Sequence, residues 1–144
     1  MRKGTEMRII IFLFCALLTL MSAQDGSCRG FGMAFSSEDD MCGPTLLKPI
    51  SEKITIPRDG SLEFEWEIGY IVKTNYYWFR LYKGYGTTED NLIAEKRIPN
   101  DEFKLYLPAS QFEDGQVYTW VLVQVFNSGR KSDKSFASFK IYKQ

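Results

Sequence analysis

Hydrophobic and polar residues alternate with a period of two along most of the chain from Thr45 onward. In the clearest example, Leu62, Phe64 and Trp66 alternate with three glutamates. Successive side chains of a β-strand point to opposite faces, so this alternation predicts a strand with one buried and one solvated face. Similar runs recur about every ten residues between polar turns, which is typical of a sandwich or barrel. No stretch reads as a long amphipathic helix, so the pattern predicts a nearly all-β domain.

The run from Gln116 to Phe126 has the highest density of β-branched and aromatic residues and predicts a central strand. Tyr118, Trp120 and Leu122 share one of its faces, and valines dominate the other. An antiparallel strand with one face in water would alternate, whereas this one is apolar on both faces. The strand is therefore either covered on both sides or has an outer face kept for a partner.

Further strands are expected over residues 75–83 and 136–142. Two short segments, 45–47 and 53–56, predict an edge strand broken in two, with Pro49 and Pro57 at positions where a ladder donor can be lost. The inward-facing side chains of the longer strands predict the hydrophobic core. These are Leu62, Phe64, Trp66, Phe79, Leu81, Tyr118, Trp120, Leu122, Phe139 and Ile141.

Residues 1–23 predict a secretory signal peptide. Basic residues precede the apolar run Ile9–Leu20, and the small residues Ser22 and Ala23 follow it. A membrane-spanning helix needs about 20 apolar residues, and this run is shorter. No transmembrane span is therefore expected in the mature chain, which we expect to be secreted, periplasmic or at the cell surface.

Two cysteines, Cys28 and Cys42, are left after removal of the signal peptide. Both lie in a glycine-rich leader segment, residues 24–44, that precedes the domain at residues 45–144. An isolated pair in an oxidising compartment most simply forms one disulfide, so a Cys28–Cys42 bond is expected. A lipid anchor on a cysteine is the alternative, although Asp25 stands where an aliphatic residue is usual in such signals.

The charge and chemistry of the chain exclude several classes of function. The full sequence has 18 basic and 18 acidic residues, and removing the signal peptide with its three basic residues and Glu6 leaves 15 and 17. The basic residues are dispersed, so nucleic acid is not expected as a partner. The chain has no histidine, which removes the commonest general base and metal ligand. We therefore expect no cofactor, no metal site and no catalytic residues, and the protein is not predicted to be an enzyme.

Four segments resemble the fibronectin type III-like and related immunoglobulin-like domains of bacterial secreted and envelope proteins: Asp59–Trp66, Tyr77–Leu81, Leu107–Trp120 and Asn127–Ile141. The resemblance covers roughly residues 45 to 144. It implies a two-sheet antiparallel β-sandwich of about seven strands, with Trp66 in the core and Tyr118 forming a corner hydrogen bond back to the chain. The cysteine pair that joins strands B and F in antibody domains is missing, which favours the fibronectin-like branch.

This fold hosts many unrelated roles, so a function must be argued from a surface. If Tyr118 and Trp120 face the core, strands C, F and G present one apolar, aromatic face outward. Its residues are Trp78, Arg80, Tyr82, Val121, Val123, Val125, Phe136 and Tyr142. A large exposed apolar patch indicates an interface, so we expect an exported, non-catalytic binding or structural module that acts by protein–protein contact or self-association.

Three alternatives stay open. The leader segment 24–44, with Met33, Phe35 and Met41, could fold over this face and cover it. The rings of Trp78, Tyr82 and Tyr142, with Arg80 as a polar contact, could instead bind carbohydrate by stacking on sugars. The polar loop from Gly84 to Asn91 could inhibit a secreted enzyme.

Overall fold

The computed structural model describes residues 41–71 and 73–144. The predicted signal peptide, Cys28 and leader residues 24–40 lie outside the described residues, so signal cleavage and the Cys28–Cys42 disulfide stay predictions. Eight strands are present: β1 (Thr45–Lys48), β2 (Lys53–Ile56), β3 (Ser61–Glu67), β4 (Thr74–Lys83), β5 (Leu92–Pro99), β6 (Lys104–Pro108), β7 (Val117–Phe126) and β8 (Ser135–Lys143). Short 3₁₀ turns at Glu89–Asn91 and Ala109–Gln111 precede β5 and follow β6.

The strands form two sheets. One has three strands in the order β1-β3-β6, and the other has five in the order β2-β8-β7-β4-β5. Neighbouring strands are antiparallel, except that β2 runs parallel to β8. The predicted all-β, two-sheet sandwich is confirmed, and β7 is the central strand of the larger sheet, as its apolar faces predicted.

The first two strands pair differently from the prediction of one broken edge strand. β1 pairs with β3 at the edge of the smaller sheet, whereas β2 pairs with β8 at the edge of the larger one. The connection that begins at Pro49 carries the chain across, because proline has no N–H with which to continue the ladder. The indole N–H of Trp120 donates to the Pro49 carbonyl oxygen at 3.0 Å, which ties the connection to the core.

The core lies between the two sheets and is largely aromatic. The ring of Phe64 packs edge to face against those of Phe79 and Trp120, at centroid distances of 5.0 and 5.2 Å. Such pairs contribute about 0.5–1.5 kcal/mol each beyond the burial of their area. All ten residues predicted for the core lie in this one buried cluster. Tyr77 and Phe112 join them without having been predicted.

The outer face of the smaller sheet is polar and paired. Lys104 Nζ lies 2.8 Å from a carboxylate oxygen of Glu63, and Lys48 Nζ lies 2.8 Å from one of Glu65. The hydrogen bond from Lys104 lowers the pKa of Glu63, and the one from Lys48 lowers the pKa of Glu65.

Candidate functional site: the outer face of the larger sheet

The candidate site is the side of the five-stranded sheet that points away from the core, here called the outer face. Antiparallel pairing places Trp78 opposite Val123, and Arg80 opposite Val121. On the other side of β7, Phe136 of β8 also lies opposite Val121. Directly opposed side chains have Cβ atoms about 4.5–5.5 Å apart, so the three strands bring the predicted interface residues together.

Four of the predicted interface residues are buried. Tyr82, Val121, Val123 and Val125 have 2–6% of their surface exposed and form a second apolar cluster, separate from the core. The described side chains that pack against them include Tyr76, Trp78 and Leu92. The expectation that these four residues offer an open surface is therefore wrong. The register places Trp78 and Arg80 of β4 directly opposite Val123 and Val121 of β7. Leader residues 24–40 lie outside the described residues, so the alternative that the leader covers this face stays a prediction.

Cations stack on the aromatic rings of this face. The guanidinium carbon of Arg80 lies 5.0 Å from the Trp78 ring centroid and 5.6 Å from that of Tyr82. Lys131 Nζ lies 4.5 Å from the Trp78 centroid. Each such contact contributes about 0.5–1 kcal/mol at an exposed site and more when water is excluded. The Trp78 indole N–H is buried and donates to no acceptor in the described part of the chain.

Arg80 also ties the face to two neighbouring segments. Its Nη2 donates to both carboxylate oxygens of Glu89, at 2.7 and 2.8 Å, and its Nε donates to Glu95 at 3.0 Å. Burial is the largest single effect and would lower the pKa of Arg80, but the hydrogen bond to Glu89 and the charges of Tyr82, Glu89 and Glu95 together raise it. The loop from Gly84 to Asn91 is thus anchored through Glu89, while its Tyr85 is 76% exposed. Its use as an inhibitory loop stays a prediction.

The accessible part of the predicted interface lies on β8. Phe136 is 68% exposed and Tyr142 is 36% exposed, and Lys140 Nζ lies 5.4 Å from the Tyr142 ring centroid. The carbohydrate platform predicted from Trp78, Tyr82 and Tyr142 does not form, because sugar stacking needs open ring faces and Tyr82 is buried. Of that proposed set, Tyr142 alone is classed as exposed.

The side chain of Gln124 fastens a loop to the central strand, and its role was not predicted from the sequence. It is fully buried, and its side-chain amide donates to the Tyr70 carbonyl and to Thr74 Oγ1 at 2.9 and 2.8 Å. Its side-chain oxygen accepts the Tyr70 N–H at 3.2 Å. The signal was present in the sequence, since Gln124 is a lone amide among apolar residues on the inward face of the central strand. A buried amide needs partners, and loop backbone supplies them here.

Within residues 41–71 and 73–144, no group of three or more His, Cys, Asp or Glu side chains is arranged to hold a metal ion. The same residues contain no helix long and apolar enough to cross a membrane.

The chain matches no family model and no curated protein. Among solved structures, a computationally redesigned β-sandwich protein is similar, with a TM-score of 0.51 and 11% identity over 69% of this chain and 90% of that chain. The fn3 domain of human contactin 1 has a TM-score of 0.49 and 15% identity, covering 81% of this chain and 91% of that one. A fibronectin(III)-like module of Clostridium thermocellum CbhA has a TM-score of 0.46 and 10% identity, covering 69% and 96%.

The described domain has a fibronectin type III-like, immunoglobulin-like sandwich fold. At these identities the likeness concerns the fold alone. This fold hosts many unrelated roles, so it does not by itself assign one. The expected bacterial, exported context of this domain stays a prediction.

Proposed function

We propose that the protein is an exported, non-catalytic binding module that contacts another protein, or a second copy of itself, through the outer face around Phe136. The support is a difference in exposure between the β7 residues and the β8 residues of this face. The valines of β7 are already packed within the chain, so they stiffen the surface rather than forming the contact. Among the residues of the predicted interface, Phe136 and Tyr142 on β8 are the most exposed.

One observation carries the proposal: Phe136 is 68% exposed although it lies on a regular strand directly opposite the buried Val121. Single exposed apolar residues are common, but this one borders a buried apolar cluster. An aromatic anchor at the edge of a rigid, well-packed surface is typical of residues that dominate protein–protein binding energy.

The experiment places a photoreactive phenylalanine analogue at residue 136 of the full chain, expressed in its native host, and irradiates the cells. A matched control carries the same analogue at Tyr85, which is similarly exposed, at 76%, but lies on the loop after β4. We expect a discrete adduct from position 136 and none from position 85. An adduct of twice the chain mass identifies self-association, and any other discrete mass identifies a different partner.

Sedimentation of the processed chain, which measures its oligomeric state, provides the second measurement. Phe136→Lys should leave stability within about 0.5 kcal/mol of wild type, because the side chain is exposed. In a pull-down in which the wild-type chain competes, the Phe136→Lys chain should fail to capture the partner that was cross-linked at residue 136. Equal labelling at positions 136 and 85, or no adduct at 136, contradicts the proposal.

A further inference from the structure

Basic side chains of the outer face are held on its aromatic rings. The guanidinium carbon of Arg97 lies 5.1 Å from the Tyr76 ring centroid, and Lys140 Nζ lies 5.4 Å from that of Tyr142. All the cation–ring contacts found among the described residues lie on this face. A cation that stacks on a ring keeps a narrow range of positions, so it loses little freedom when an anion binds it.

One of these ring-held cations already binds carboxylates. Arg80 donates to both oxygens of Glu89 and to one oxygen of Glu95. Arg97 and Lys140 have the same support from a ring, but neither forms an ion pair within residues 41–71 and 73–144. The contact between Arg80 and Glu89 is therefore an example, within the chain, of what a partner's carboxylate can do at Arg97 and Lys140.

The unpaired charges of the outer face are basic. Lys53 lies opposite Lys140 in the β2–β8 pair. The outward positions of β7 and β8 hold apolar, hydroxyl-bearing and lysine side chains, with no acidic residue among them. On β5, Arg97 shares the face with Glu95, whose carboxylate is already bonded to Arg80. An anion that approaches this face thus meets cations that the described chain does not neutralise.

Acidic residues lie at the margins of the face. Asp114 accepts the Lys143 N–H at 2.9 Å, and Glu52 directly precedes β2. Beyond β5, Asp101 and Glu102 lie on the connection to β6. Among the described residues these four carboxyl groups form no ion pair. They border the cations of the face without pairing with them.

Residues 38–40 are also acidic, and they lie outside the described residues. They directly precede Met41, whose carbonyl oxygen accepts the Asp133 N–H at 2.8 Å on the β7–β8 connection. Lys131 lies on that same connection, and the inference does not depend on its charge. Lys140 lies about 20 Å further along the chain from Asp133, in the second half of β8.

We infer that the partner contacted around Phe136 is an acidic protein surface whose carboxylates bind Arg97 and Lys140. This inference rests on the proposed function, which allows either a different protein or a second copy. On a regular sheet, Lys140 is about 13 Å from Phe136 along β8, and Arg97 is about 15 Å away across three strands. Both cations fall within one patch of ordinary interface size, about 800 Å² per partner. A symmetric contact of this face with itself would oppose cation to cation, which disfavours a second copy.

The test repeats the cross-linking at residue 136 with a second substitution in the same chain. Lys140→Glu and Arg97→Glu should each lower the yield of the adduct about tenfold. Lys140→Gln and Arg97→Gln should each lower it about threefold, because they remove the attraction without adding repulsion. In the pull-down, raising the salt from about 0.1 M to about 1 M should lower the captured amount at least about fivefold, since the screening length shortens from about 10 Å to about 3 Å.

The matched control is Lys96→Glu. Lys96 is an exposed lysine next to Arg97 on β5, but it lies opposite Phe79, whose side chain faces the core. We expect an adduct yield within about twofold of wild type, because the reversed charge is not on the outer face.

The outcomes separate this inference from the proposed function. An adduct yield that stays at the wild-type level in both glutamate variants overturns the inference and leaves the contact at Phe136 standing. An equal loss in Lys96→Glu, or an adduct of twice the chain mass, also overturns it. No adduct at residue 136 in the otherwise unchanged chain contradicts the proposed function and the inference together.

Discussion

The hydroxyl oxygen of Tyr118 accepts the backbone N–H of Glu113 at 2.7 Å, closing a corner between the 3₁₀ turn after β6 and the start of β7. The resemblance predicted this bond, and the structure confirms it. Burial raises the pKa of Tyr118, while the bond from Glu113 acts in the opposite direction. The Tyr118 ring also packs edge to face on Phe112, at a centroid distance of 5.1 Å.

Tyr118→Phe should keep the ring contacts and lose only this hydrogen bond. We expect the free energy of unfolding to fall by about 1–2 kcal/mol, because a part-buried donor loses its acceptor. Urea denaturation of the processed chain measures the change. Tyr106→Phe is the matched control, since its hydroxyl bonds Glu63 on an exposed face at 3.1 Å, and it should change stability by less than about 0.5 kcal/mol. Equal effects from the two substitutions would remove any special role for the corner.

Gly69 is needed where its own segment packs against the backbone of residues 42 and 43. A Cβ at this position would overlap the backbone of Gly43 and lie 2.7 Å from the Cys42 carbonyl oxygen. Backbone cannot move aside as a flexible side chain can, so Gly69→Ala should lower the unfolding free energy by about 2 kcal/mol. Gly86→Ala is the control, because its Cβ would meet only the end of the Asn91 side chain, at 3.1 Å. If denaturation shows that Gly69→Ala is as stable as the wild type, the backbone of residues 42 and 43 must move aside at little cost.

The strands and the core could be predicted because both follow from local alternation. Leu62, Phe64 and Trp66 alternate with glutamates, and a period of two assigns their face without knowledge of any neighbour. The placing of β1 and β2 in different sheets could not be predicted this way, since partner choice for an edge strand depends on residues far away in the chain.

The sequence predicted which residues lie on the outer face, but it did not predict which of them are exposed to solvent. Whether Val123 is open or covered depends on what lies opposite it, and that requires the register of β4 against β7. Trp78 lies opposite Val123, and the valine is buried. Gln124 was missed for a related reason: its partners Tyr70 and Thr74 lie 54 and 50 residues earlier, and no periodicity connects the two segments.

Val123 should behave as a buried residue despite lying on the outer face. Val123→Ala should lower the unfolding free energy by about 1–2 kcal/mol through lost packing, and Val123→Lys by about 3 kcal/mol or more, because it places a charge in an apolar cluster. Ile93→Lys is the control, since Ile93 is 45% exposed on the edge strand β5. A Val123→Lys protein as stable as the Ile93→Lys protein would show that the second cluster is not packed.

The ion pairs on the smaller sheet should make stability depend on pH in the acid range. The hydrogen bond from Lys48 lowers the pKa of Glu65 most, and the hydrogen bond from Lys104 lowers it further. A carboxyl group whose pKa is lower in the folded state stabilises the fold above its unfolded pKa, and this contribution is lost as pH falls through the folded pKa. The free energy of unfolding should therefore decline as the pH falls below the ordinary pKa range of a carboxyl group. The side chains are solvent-exposed, so added salt should weaken the effect.

Glu65→Gln should flatten this acid decline, which thermal unfolding at a series of pH values measures directly. Glu67→Gln is the matched control, because Glu67 is exposed on the same strand and makes no ion pair among the described residues. We expect the control to retain the acid slope of the wild type. An identical slope in wild type and Glu65→Gln would mean that the Lys48–Glu65 contact, 2.8 Å in length, contributes nothing to folding in solution. The slope isolates the linkage itself, since a general loss of packing would lower stability equally at every pH.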